Sequence, residues 1–105
     1  MKLTGTEVQD IASKIGETFR PLKVLLFGSY ANETATDDSD LDLLVVMESS
    51  APHYKRSAEI RNLLWPPKAP MDILVYTPEE ISRWGNLPNH ILSDALKNGK
   101  VLYAA

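Results

Sequence analysis

Two aspartates two residues apart, Asp40 and Asp42, stand at the head of an apolar run that continues Leu43-Leu44-Val45-Val46-Met47. Side chains alternate faces in a strand, so residues two apart point the same way, roughly 6.6 Å apart along the chain. Asp40 and Asp42 would then share a face with Leu44 and Val46, and Leu41, Leu43, Val45 and Met47 would line the other. Two carboxylates at the mouth of an apolar strand repel each other and are costly to desolvate unless cations lie between them. Hard oxygen donors of this kind suit Mg²⁺ or Mn²⁺, which take one or two carboxylates and complete their shell with phosphate and water. Asp72 repeats the logic inside Met71-Asp72-Ile73-Leu74-Val75-Tyr76. Taken alone, Asp72 reads equally well as an exposed strand end or as the partner of a nearby lysine. With Asp40 and Asp42 on a neighbouring strand, three acids facing one cleft point to a two-metal site. Gly28-Ser29 after a short apolar run offers the other half of such chemistry. Glycine lets the backbone approach a ligand, and the first amides of a following helix face outward at the positive end of its dipole. A Gly-Ser pair by itself is more often a plain turn.

These residues need elements to carry them. Residues 6–19 read as an amphipathic helix with Val8, Ile11, Ala12, Ile15 and Phe19 on one face. Thr4 and Glu7 have capping-box spacing, Gly16 weakens the pattern, and Pro21 closes it. A buried strand follows at 23–27, then a short helix at 29–32, a polar acidic loop at 33–39 and a central strand at 41–47. Residues 52–65 read as a helix with Ile60, Leu63 and Leu64 inward, ended by Pro66-Pro67. A third strand at 71–76 leads to Thr77-Pro78-Glu79-Glu80, a helix start with Thr77 as cap and Glu80 reaching back. A last helix at 88–98, with Ile91, Leu92, Ala95 and Leu96 buried, stops at Gly99, and 101–103 adds an edge strand. The order α-β-α-β-α-β-α-α-β is that of an α/β or α+β fold, expected as one domain over residues 1–105.

Composition narrows the function classes. Eleven basic against 14 acidic residues give a formal charge of −3, which argues against a surface built to coat nucleic acid. The chain has no cysteine, so disulfides, thiol catalysis and cysteine metal sites are excluded. No stretch approaches a membrane span and the polar N-terminus lacks a signal-peptide core, so a cytoplasmic protein is expected.

Gly28-Ser29, ten intervening residues, and then Asp40-Leu41-Asp42 resemble the signature of the DNA polymerase β nucleotidyltransferase superfamily. With Asp72 in the stretch from Met71 to Glu80, the chain most closely resembles the minimal nucleotidyltransferases, the antitoxin halves of HEPN/MNT toxin–antitoxin pairs. The resemblance covers about residues 24–103. It implies a small mixed sheet flanked by helices, with the three acids on adjacent strands. Asp40 and Asp42 would bridge two divalent ions, Mg²⁺ or Mn²⁺, and Asp72 would bind the ion that activates the attacking hydroxyl. Gly28 and Ser29 would hold the β- and γ-phosphates of ATP. The implied reaction moves AMP to a hydroxyl of a HEPN-type toxin partner, with no membrane and no direct nucleic-acid contact. Relatives often carry a basic residue and then glycine where this chain has Asn32-Glu33. Asparagine tolerates a left-handed helix end, so Asn32 is expected to keep the turn.

Other residues carry blander readings. Asp37 and Asp38 read as solvated charges, and His53 and His90, which lack zinc-spaced partners, as surface or capping residues. Trp65 and Trp84 read as core or interface anchors. Lys55, Arg56, Arg61 and Lys68 fit a solvated helix face better than a patch for triphosphate or a partner. Two rival functions stand beside catalysis on a partner protein. One is an antitoxin that neutralises its toxin by binding alone. The other is nucleotidyl transfer to a small molecule or RNA, where a homo- or hetero-oligomer could build the acceptor cleft.

Overall fold

Thr4 opens the first helix as its spacing predicts. Its hydroxyl accepts the Glu7 amide at 3.1 Å, and the Glu7 carboxylate accepts the Thr4 amide at 2.9 Å. In the computed structural model, which describes residues 2–88 and 90–105, this box starts α1 (Gly5–Phe19). Val8, Ile11, Ala12 and Ile15 turn inward along one stripe. The helix ends at Arg20 in the left-handed region (φ 49°), just before Pro21.

Four strands form a mixed sheet in the order β3-β2-β1-β4: β1 (Lys23–Phe27), β2 (Leu41–Val46), β3 (Met71–Tyr76) and β4 (Lys100–Ala104). β1 runs antiparallel to β2 and β4, whereas β2 and β3 are parallel. The antiparallel β1–β2 pair brings the end of β1 to the start of β2, with Phe27 opposite Asp42. The parallel β2–β3 pair sets Asp42 opposite Asp72. A short helix, α2 (Gly28–Ala31), fills the turn after β1.

Period-2 alternation sorts the sheet into two cores. On one face Val24, Leu26, Leu41, Leu43, Val45, Ile73 and Val75 pack against α1 and Ile60. On the other, Leu25, Phe27, Leu44 and Val46 pack with Leu92 and Ala95, and with partly buried Leu74, Tyr76, Ile81 and Trp84. Asp42 and Asp72 lie on this second face, at its open end. That face is covered by α4 (Pro78–Trp84), entered through the Thr77–Glu80 capping box, and by α5 (Ile91–Asn98).

Two elements depart from their sequence patterns, and one glycine has a role that its pattern did not show. The helix predicted over 52–65 breaks into a 3₁₀ turn (His53–Lys55) and a short α3 (Ala58–Leu63). Arg56, at the break, turns inward: its guanidinium donates to the Ala51 and Val75 carbonyls and to the Glu80 carboxylate. A side chain 10% exposed with three acceptors outweighs the helix periodicity, and the solvated-face reading fails for Arg56. The last helix begins at Ile91, with the His90 ring nitrogen capping the Leu92 amide at 3.1 Å, so His90 is indeed a cap. Within it Leu92 and Ala95 are buried as expected, whereas Leu96 is 36% exposed. The expectation that Ile91 is buried falls outside the described side chains. Gly16, which looked like a flaw in α1, is where the Tyr103 ring packs, and a Cβ there would overlap it.

Candidate active site

Gly28 adopts φ +72°, a left-handed value that L side chains rarely take. A Cβ built on it would overlap Asp42 Oδ2. Glycine is therefore required at this position for a reason the sequence did not suggest. Its missing side chain makes room for a carboxylate, in addition to letting the turn approach a ligand. Ser29 and Tyr30 follow on α2, and the Tyr30 hydroxyl accepts the Leu3 amide at 3.0 Å, tying the turn to the N-terminal segment.

Asp42 is half-buried at the second residue of β2, and Asp72 is exposed at the second residue of β3. Parallel register puts them side by side on one face. Burial first, then the Asp72 charge, then the Asp40 charge push the Asp42 carboxyl above its ordinary 3.8. Both neighbouring acids thus bear electrostatically on Asp42. Among the described residues, no hydrogen-bond donor and no lysine, arginine or histidine engages any of the three carboxylates. The lysine-pair reading of Asp72 is thereby removed.

Asp40 departs from expectation. It lies one residue ahead of β2, not within it, so strand alternation does not aim its exposed side chain. Among the described residues no three acids or histidines gather closely enough to enclose one ion. The donor chemistry still fits divalent magnesium or manganese. Such an ion takes one or two protein carboxylates and draws the rest of its shell from phosphate and water, so a closed protein cage is not what it requires. Asp42, with Asp72 beside it and Asp40 at the loop end, are the residues that would hold it.

The left-handed turn after α2 falls at Glu33 (φ 60°), not at Asn32 (φ −87°). Asn32 closes the helix with its amide on the Gly28 carbonyl at 3.1 Å. Asp37, read as a solvated charge, accepts the Lys2 amide at 3.2 Å. Trp65 is 76% exposed and is not a core residue, whereas Trp84 packs partly buried under the second core. Lys68 approaches Glu7 at 3.8 Å, and Arg61 donates to the Met71 carbonyl at 3.1 Å, so neither is a plain solvated charge. A cavity of about 620 Å³ lined by Met47, Ser49, Ser50, Lys55 and Arg56 opens at the other end of β2. It holds none of the five predicted residues. The three carboxylates lie at the opposite end of β2 from that hollow.

A four-stranded mixed sheet flanked by helices is the arrangement of a nucleotidyltransferase fold. The nucleotidyltransferase domain family matches residues 8–102, and the chain belongs to that family. A solved structure of a nucleotidyltransferase candidate from Sulfolobus solfataricus superposes with a TM-score of 0.61 at 20% identity, covering 91% of this chain and 76% of that one. At that identity it supports the fold. No curated protein matches the chain significantly. Nucleotidyltransferase domains generally act on a nucleoside triphosphate with divalent metal ions. Among the described residues no helix is long and apolar enough to cross a membrane.

Proposed function

We propose that the chain transfers a nucleoside monophosphate, AMP from ATP, to a hydroxyl of a partner protein in the cytoplasm, and that the partner is a HEPN-type toxin silenced by the modification. The observation that carries the catalytic part is the Asp42–Asp72 pair. Asp42 is held against Gly28 with Asp72 beside it in register, and no basic side chain among the described residues pairs with either. A fold bears such a cost where a cationic ligand relieves it.

In this reading the Gly28-Ser29 turn would receive the β- and γ-phosphates, and Asp40, Asp42 and Asp72 would hold two Mg²⁺ or Mn²⁺ ions. Bound there, the ions would neutralise the triphosphate and make the acceptor hydroxyl a better nucleophile. The acceptor oxygen bonds to the α-phosphorus as the bond to the β-phosphate oxygen breaks. Pyrophosphate leaves and the hydroxyl proton passes to solvent. The protein's part is positioning and charge placement.

The acceptor is tested by incubating the chain with Mg²⁺, labelled ATP, CTP, GTP or UTP in turn, and a small all-helical HEPN-type protein, should one be encoded beside it. Label from ATP on a tyrosine of that partner is the expected product. Label on RNA or a small molecule instead would reject the protein acceptor. Full protection from the toxin by an Asp40→Asn, Asp42→Asn variant would show that binding alone neutralises it.

A further inference from the structure

Asp42 and Asp72 are aimed by the sheet, and Asp40 is not. The segment leading to it carries its own set of hydrogen bonds. Thr34 donates its amide to the Ser29 carbonyl at 2.9 Å and its hydroxyl to the same oxygen at 3.4 Å, which pins the loop to the phosphate-binding turn. Thr36 and Ser39 then close a reciprocal pair. The Thr36 amide donates to Ser39 Oγ at 2.8 Å, and the Ser39 amide donates to the Thr36 carbonyl at 3.1 Å. Their hydroxyls lie 3.4 Å apart, and the Asp38 amide donates to Thr36 Oγ1 at 3.3 Å. Beyond Asp40, the Leu41 amide donates to the Pro70 carbonyl at 2.9 Å, at the head of β3.

Asp40 therefore sits between two fixed neighbours, Ser39 and Leu41, in a segment that is otherwise largely exposed. Hydrogen bonds on such a loop contribute only about 1 kcal/mol each to stability, since water competes for every partner. Their larger effect is to narrow the backbone conformations open to the loop, which costs entropy to order. The network is also oriented usefully. Its first anchor is the turn read as the phosphate site, and its last is the residue before an acid.

We infer that Ser39, supported by Thr36, is a positioning residue that holds the Asp40 carboxylate in place beside Asp42 for a divalent ion. This rests on reading the acids as the metal-binding part of a nucleotidyltransferase. Ser39 does not touch substrate in this account; it acts through Asp40.

Three variants of the full chain, Ser39→Ala, Ser39→Thr and Thr36→Ala, test it. In the metal-free protein, the Thr36 amide should exchange its hydrogen markedly faster in Ser39→Ala, because its acceptor is gone, while the unfolding midpoint stays within a few degrees of wild type. With ATP present, Mn²⁺ binding should weaken about tenfold in Ser39→Ala, the usual scale for losing a supporting contact behind a metal ligand. Ser39→Thr keeps the hydroxyl and should restore it, and Thr36→Ala should show a smaller loss. Saturating Mn²⁺ should return the transfer rate of Ser39→Ala towards wild type, which a general loss of structure would not allow. Wild-type Mn²⁺ affinity in Ser39→Ala, or a loss that Ser39→Thr fails to rescue, would overturn the inference. Should wild type bind Mn²⁺ with ATP yet transfer nothing, the nucleotidyl-transfer reading fails and the affinity ratio still decides on Ser39. Should wild type bind no Mn²⁺ at all, both fail.

Discussion

At the scale of the residue, the cost of the site is concentrated at Asp42. Burial and two neighbouring acids raise its folded-state pKa above 3.8. A carboxyl whose folded pKa is raised favours the folded state when protonated and loses that favour as pH rises through the folded pKa. At neutral pH, ionised Asp42 therefore destabilises the metal-free fold. Asp42→Asn should raise its unfolding midpoint at pH 7 by roughly 4 °C, a gain visible by thermal denaturation and absent at pH 3. Gly28 makes the matching prediction. Gly28→Ala should destabilise by about 2 kcal/mol, from left-handed strain and the overlap with Asp42. In an Asp42→Ala background the overlap vanishes, and a denaturant double-mutant cycle should leave only the backbone part, about 1 kcal/mol. Additive costs would contradict the contact. Glu33 holds φ 60° without being glycine. Glu33→Gly should therefore stabilise by about 0.5 kcal/mol, since relief of strain of about 1 kcal/mol exceeds the added freedom of the unfolded chain.

At the scale of the element, the Thr77 cap and Arg56 meet on one side chain. Glu80 is opposed by burial but held by the Thr77 amide and the Arg56 guanidinium, and its carboxyl ends below its ordinary 4.5. A depressed carboxyl contributes stability that is present above the unfolded pKa and is lost as pH falls through the folded one. Glu80→Gln should therefore cost about 2 kcal/mol at pH 7, because it leaves a mostly buried arginine without its counter-charge. The cost should shrink as pH falls below 4.5 and through the lowered folded-state pKa, where wild-type Glu80 itself becomes protonated; urea unfolding from neutral to acidic pH would measure it. Arg56 and Arg61 also donate to the Val75 and Met71 carbonyls on β3, an edge strand. Such capping limits pairing of that edge with another chain. None of this was legible in the 52–65 pattern, because two of the three acceptors of Arg56, Val75 and Glu80, come from β3 and α4, well along the chain. The acids read well on β2 and β3, where period 2 is enforced by burial of Leu41, Leu43, Ile73 and Val75. They read poorly at Asp40, which lies outside the strand, after a loop whose hydrogen bonds run among Thr34, Thr36, Asp38 and Ser39. The capping boxes at Thr4 and Thr77 were legible because their partners are three residues apart.

At the scale of the whole molecule, topology turns separate signals into a site. Antiparallel β1–β2 places the Gly28 turn against Asp42, and parallel β2–β3 adds Asp72. Neither register can be read from strand patterns alone, which specify faces but not neighbours. The role of Gly28 as space for Asp42 depends on that register and was invisible before it. The ten residues between Gly28-Ser29 and Asp40 form a loop pinned at both ends, by Thr34 on Ser29 and by Leu41 on Pro70.

The central claim is that this end of the sheet performs metal-dependent nucleotidyl transfer. It is tested most directly by following pyrophosphate release and transfer of label from α-labelled ATP with Mg²⁺, comparing wild type with Asp42→Asn, Asp72→Asn. Wild type should transfer, and the double variant should fall by at least about a thousandfold while keeping its fold and melting no lower than wild type. Equal transfer by a folded double variant would contradict the account.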